Sequence, residues 1–165
     1  MPRPQFKPYF DEARAAGLHS VPHAGETTGP GTIWDALRDL GAERIGHGIS
    51  AAQDPALLAH LAERQIPMEV CPTSNVRTRA VRAIEEHPLP RLVEAGLLVT
   101  INSDDPPMFG TTLDDEYAVA ARLLDLDAAG LAGLARNAVT ASFLAAPDKD
   151  KLTAEIDAYL AGHRS

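Results

Sequence analysis

The chain has 165 residues, a formal net charge of −8, 45% hydrophobic residues and a single cysteine, Cys71. That length supports one domain with a real core, and the acidic balance argues against nucleic acid or an anionic membrane surface as partner, because no basic stripe is present to displace counterions. One cysteine rules out an internal disulfide framework and suits a reducing, cytoplasmic setting, and no apolar run reaches membrane-spanning length.

In chain order, Phe6, Phe10, Ala13 and Leu18 read first as one face of an amphipathic helix. Four short apolar runs follow: LHSVPH (18–23), ERIGHG (43–48), IPMEVC (66–71) and LLVTIN (97–102). Each is a continuous run rather than an alternating one, as expected of strands buried on both faces. Helical segments separate them. Ile33, Ala36, Leu37 and Leu40 fall at i, i+3, i+4 and i+7. Asp54-Pro55 supplies an N-cap and a first helical proline for LLAHLAER. A third helix from about Pro88 to Ala95 stops at Gly96. Alternating strands and helices predict an α/β fold with a parallel sheet. Beyond residue 112 the strand signal ends. YAVAARLLDL, LAGLARNAVTASFL and LTAEIDAYLAG read as helices, with a break at Pro147 and Asp148 before the last.

The polar chemistry gathers at the strand ends. His23 and Glu26 follow the first strand, His47 ends the second, Ser74 and Asn75 follow the third, and Ser103, Asp104 and Asp105 follow the fourth. In parallel α/β folds the loops at the C-terminal strand ends converge, and active sites assemble there. Two histidines with carboxylates can bind a zinc-like ion and leave acid–base groups over. Asp104 and Asp105 are adjacent on an extended segment, so one can reach a metal while the other reaches a substrate. Each residue alone has a plainer reading: a strand-end histidine satisfied by backbone, a solvated Glu26, an Asp-Pro turn and helix cap. Four clusters on one edge favour a site over four coincidences. His60, His87 and His163 read as surface residues, and Cys71 as a small buried one. Trp34, Phe109 and Tyr117 read as packing residues, with Phe109 close enough to Asp105 to line a pocket.

VPHAGE (21–26), RIGHG (44–48), CPTSN (71–75) and INSDDPPMFGTTLDDEY (101–117) together resemble the adenosine deaminase family of metal-dependent purine deaminases. The resemblance covers almost the whole chain and implies the C-terminal half of a TIM-type (β/α)8 barrel. On that reading residues 1–112 form four βα units and 113–165 a helical C-terminal part of one partial domain. It implies that His23 and Asp104 ligate zinc. Glu26 would protonate a purine ring nitrogen, with Gly25 keeping its turn tight so that it approaches the ring. His47 would orient and deprotonate the attacking water, and Asp105 would hydrogen-bond the five-membered ring. The implied reaction is hydrolytic deamination of a 6-aminopurine, with adenosine first and adenine or another adenine nucleoside next.

One departure shapes the expectation. The family's H-x-H pair, which supplies two further zinc ligands, does not occur: the histidines are 19, 23, 47, 60, 87 and 163. The chain is therefore expected to be a truncated part of a longer protein, or else to need a complementing N-terminal half or to self-associate. The competing readings are a non-catalytic half-barrel module and a different metal-dependent amidohydrolase.

Overall fold

The computed structural model describes residues 3–162; His163 lies outside them. Four short strands, β1 (His23–Ala24), β2 (Ile45–His47), β3 (Met68–Val70) and β4 (Val99–Ile101), form one sheet in the order β1-β2-β3-β4. Every pairing is parallel, with His23 opposite Gly46, Ile45 opposite Met68, and Met68 opposite Val99. Parallel neighbours need crossovers, and helices supply them. Helix α1 (Lys7–Ala15) precedes the sheet. Helix α2 (Gly31–Asp39) joins β1 to β2, and α3 (Pro55–Arg64) joins β2 to β3. The β3–β4 crossover carries α4 (Pro72–Arg77) and α5 (Leu89–Glu94). After β4 come α6 (Pro106–Phe109), α7 (Leu113–Leu124), α8 (Ala128–Ala141) and α9 (Ala146–Gly162).

The core lies between the sheet and the helices. Ile33, Ala36 and Leu40 are buried beneath α2, Leu57 and Leu61 beneath α3, and Leu89 and Leu92 beneath α5, against Ile45, Met68, Val70 and Val99. All three residues of β2 and of β4 are buried, as their continuous apolar runs require. The helix starts follow their caps. Asp54 accepts from the backbone N–H groups of Ala56 and Leu57 at 3.0 and 3.1 Å. Thr112 and Asp115 form a reciprocal capping box on α7. The helical C-terminal part packs onto the sheet: Asn137 of α8 donates to the Val99 carbonyl at 3.0 Å.

Three expectations shift. The first strand run reduces to a two-residue ladder at its C-terminal end. The opening helix ends at Ala15, because Gly17 adopts φ +84; Leu18 is left exposed, while Phe10 packs against the core. Pro147 does not break the chain before the last helix. It lies in the first turn of α9, where a proline's missing N–H costs nothing.

Candidate active site

The predicted strand-end residues meet. Donor atoms of His23, His47 and Asp104 lie within 4.8 Å of one another, at the edge of a cleft of about 480 Å³ that Glu69, Asn102 and Tyr117 also line. The His23 and His47 rings sit edge to face with centroids 4.9 Å apart. Gly46, directly across the ladder from His23, makes room for it: a Cβ there would stand 2.9 Å from His23 Nδ1. The backbone bends sharply at two of the three residues. His47 and Asp104 both have φ 58, a left-handed conformation that side chains seldom adopt. Such strain concentrates at functional sites.

Gly25 closes the turn after β1. Its φ is +65, and a Cβ would lie 2.5 Å from both Ile33 Cδ1 and Ser50 Oγ, so only glycine fits. The turn carries Glu26 towards His47. Glu26 Oε2 stands 3.7 Å from His47 Nε2, and Glu26 Oε1 accepts from Thr78 Oγ1 at 2.9 Å. Glu26 lines a neighbouring wider cleft of about 790 Å³. Asp104 Oδ2 lies 3.8 Å from His47 Nε2 and accepts from Ser74 Oγ at 2.6 Å. Burial is the largest influence on His47 and holds its imidazole below the ordinary value, against the pull of Glu26 and Asp104.

Asp105 takes a different position. It is exposed and caps α6, accepting from the Met108 N–H at 2.9 Å. The helix-cap reading thus holds for this carboxylate, one residue beyond a carboxylate that joins the cluster. Cys71 is buried, and burial pushes its thiol far up, as a packing residue.

Two buried groups escape the sequence pattern. His87 is not a surface residue. It is 4% exposed, accepts from the Leu89 N–H through Nδ1 at 3.0 Å, and faces Asn75 Oδ1 through Nε2 at 3.1 Å. Its short, proline-rich surroundings fold back onto α4, which local pattern does not reveal. Asn75 in turn reaches His47 Nδ1 through Nδ2 at 3.1 Å. Glu116 is fully buried and accepts from the Thr73 N–H and from Thr111 Oγ1, at 3.1 and 2.6 Å. A signal for it exists: Glu116, Tyr117 and Ala120 share helical spacing, so Glu116 occupies a core-facing position.

The donor set fits a zinc-like ion. An imidazole and a carboxylate at strand ends, each held in place, offer the nitrogen and oxygen ligation that catalytic zinc takes. The Ser74 hydroxyl on Asp104 is the kind of outer contact that orients a ligating carboxylate.

Comparisons with known proteins bear on the family and the fold. The chain is 73% identical over 161 residues to the aminodeoxyfutalosine deaminase of Streptomyces avermitilis, covering 98% of this chain and 45% of that protein. It is 46% identical to the adenosine deaminase of Klebsiella pneumoniae, covering 89% and 44%. Among solved structures, the adenine deaminase of Arthrobacter aurescens superposes with a TM-score of 0.93 at 38% identity, over 97% of this chain and 49% of that one. An amidohydrolase of Burkholderia ambifaria with bound Zn superposes at 0.86 and 25% identity, over 98% and 46%. The chain thus spans about half the length of the relatives it matches. The family model for adenosine deaminase matches residues 1–159, and the chain belongs to that family.

Proposed function

We propose that this chain forms half of the catalytic barrel of a hydrolytic deaminase acting on a 6-aminopurine. The observation that carries the proposal is the convergence of His23, His47 and Asp104 within 4.8 Å, with Glu26 Oε2 3.7 Å from His47. His23 and Asp104 are the residues that would hold zinc, and a complementing half would supply the remaining ligands. When bound, zinc brings the pKa of water towards about 7 and so supplies a nucleophile at neutral pH. The chain's own groups do the rest. Ser74 keeps Asp104 oriented, and His47 holds the attacking water through its Nε2 edge. Glu26, at the turn that Gly25 permits, gives a proton to the purine ring nitrogen and makes the adjacent carbon electrophilic. Asp105 would contact the five-membered ring with the carboxylate oxygen that its cap leaves over.

Adenosine is the first substrate that the motifs imply, but the 73% identical relative makes aminodeoxyfutalosine the first to assay, ahead of adenosine and adenine. The test is ammonia release from these three with zinc, using the chain alone and the chain mixed with a complementing half-barrel. Zinc-dependent turnover that Glu26→Gln abolishes supports the proposal. Turnover that survives Glu26→Gln removes the proton-donor role, and no turnover in either state removes the deaminase reading.

A further inference from the structure

Three residues of this chain offer donor atoms close enough for one ion, His23, His47 and Asp104, and distance alone does not say which of them bind it. A chain of buried hydrogen bonds behind His47 does.

The chain starts from a donor whose identity is beyond doubt. The backbone N–H of Leu89 can only donate, and it points at Nδ1 of His87 at 3.0 Å. Nδ1 is therefore the unprotonated nitrogen of His87, and the ring's proton sits on Nε2. That N–H faces Asn75 at 3.1 Å, so the Asn75 atom there is the carbonyl oxygen Oδ1. The amide's other end, Nδ2, then lies 3.1 Å from Nδ1 of His47. An amide nitrogen only donates, so His47 Nδ1 accepts, and the one proton of a neutral ring is on Nε2. The reversed amide fails. It would set an NH2 group against His87 Nε2 and require both nitrogens of His87 to accept, while a neutral imidazole has one acceptor.

We infer that Asn75 and His87 are positioning residues that fix His47 in the Nε2–H tautomer, and so keep His47 out of the metal's ligand set. Asn75, His87 and His47 are 0%, 4% and 2% exposed, so water does not compete for these bonds. Each ring has one nitrogen that accepts a hydrogen bond, from Asn75 Nδ2 or from the Leu89 N–H, so each carries its single proton on Nε2. The Nε2–H of His47 faces two acceptors, Glu26 Oε2 at 3.7 Å and Asp104 Oδ2 at 3.8 Å. A nitrogen that carries a proton has no lone pair for a metal. His23 and Asp104 remain as this chain's ligands. His47 meets the attacking water as a hydrogen-bond donor that orients it, which replaces the proton-accepting role implied by family resemblance. The inference deepens the proposed reading of the same site and is tested without turnover.

The experiment is long-range 1H–15N correlation spectroscopy on the full chain labelled with 15N-histidine, before and after zinc addition. The expected wild-type spectrum shows His47 protonated at Nε2 and unprotonated at Nδ1, and zinc moves the ring nitrogens of His23 while His47 keeps its Nε2 proton. Asn75→Asp places an acceptor where a donor stood. It is expected to draw the His47 proton to Nδ1, free Nε2, and let zinc shift that nitrogen. A wild-type His47 protonated at Nδ1, or one that loses its Nε2 proton to zinc, overturns the inference. So does a folded Asn75→Asp chain with an unchanged His47 tautomer. If Asn75→Asp does not fold, the wild-type spectra decide alone. A failed deaminase assay leaves these spectra as they are, so the two readings fail separately.

Discussion

Ser74 donates a 2.6 Å hydrogen bond to Oδ2 of Asp104 across 30 positions of sequence, tying the start of α4 to the end of β4. The bond matters because Asp104 sits in a left-handed backbone conformation, φ 58, that few residues other than glycine adopt. The hydroxyl fixes the orientation of the Asp104 carboxylate whose Oδ2 faces His47. Removing it in Ser74→Ala leaves the fold intact, since a buried Ser-to-Ala change keeps most of the packing. Zinc affinity is expected to fall by about 10- to 100-fold, the usual cost of losing an outer-shell partner. Calorimetric zinc titration of wild type and variant checks this; equal affinities would mean that Asp104 is not a ligand or is oriented by something else.

Gly46 serves His23 as Ser74 serves Asp104, by omission rather than by a bond. It lies opposite His23 in the ladder, and a methyl there would press on the imidazole at 2.9 Å from Nδ1 and 3.1 Å from Cγ. Gly46→Ala should turn the ring out of the cleft. Crowding of this size costs about 1–3 kcal/mol of stability, and zinc binding should weaken by more than that loss explains. Urea unfolding and zinc titration on the same variant separate the two. Unchanged zinc affinity would remove His23 from the ligand set.

Much of this site is legible in the amino-acid sequence, and for a specific reason. β2 and β4 are buried on both faces, so their apolar runs stand out, and His47 and Asp104 follow directly at the ends that parallel topology makes functional. His23, Gly25 and Glu26 are legible in the same way, because a glycine turn announces itself locally. What stays hidden depends on contacts between segments. His87 is buried only because the chain returns to α4, 12 residues back, where Asn75 waits. Helix α4 itself, PTSNVR, is too short and polar to show apolar periodicity. Glu116 is the intermediate case: its helical spacing with Tyr117 and Ala120 marks it as core-facing, but it stands beside Asp114 and Asp115, and only this carboxylate of the three turns inward. The Asp104-Asp105 pair shows the converse limit, since two adjacent identical residues take a cluster role and a cap role that spacing does not separate.

Glu116 is the structural support of the third strand's end. Its two oxygens accept from the Thr73 N–H at the start of α4 and from the Thr111 hydroxyl, in a fully buried position. Truncation in Glu116→Ala strands both donors without water. A buried donor left unpaired costs about 1–3 kcal/mol, so a loss of about 3 kcal/mol in unfolding free energy is expected. Glu116→Gln keeps one acceptor and should lose less. Because α4 also carries Ser74 and Asn75, zinc affinity should drop along with stability. Urea denaturation of the two variants is the check, and an Ala variant as stable as wild type would show the network to be replaceable.

His87 should give the chain an acid-sensitive stability of its own. Burial lowers its pKa from 6.5 to about 4. The unfolded chain therefore takes up a proton as pH falls through about 6.5, while the folded chain resists until about 4. Stability from this group is fully present above the unfolded value and is lost as pH drops through that window, to a total on the order of 3 kcal/mol. His47, lowered by burial as well, adds loss in the same direction. The two are separated with His87→Gln, whose side-chain amide can still donate to Asn75 but does not titrate. Wild type should lose stability steeply between about pH 6.5 and 4, and the variant should show a shallower slope over the same range. Parallel slopes would mean that His87 is protonated with little penalty, which a ring 4% exposed, with Nδ1 already accepting from Leu89, does not allow.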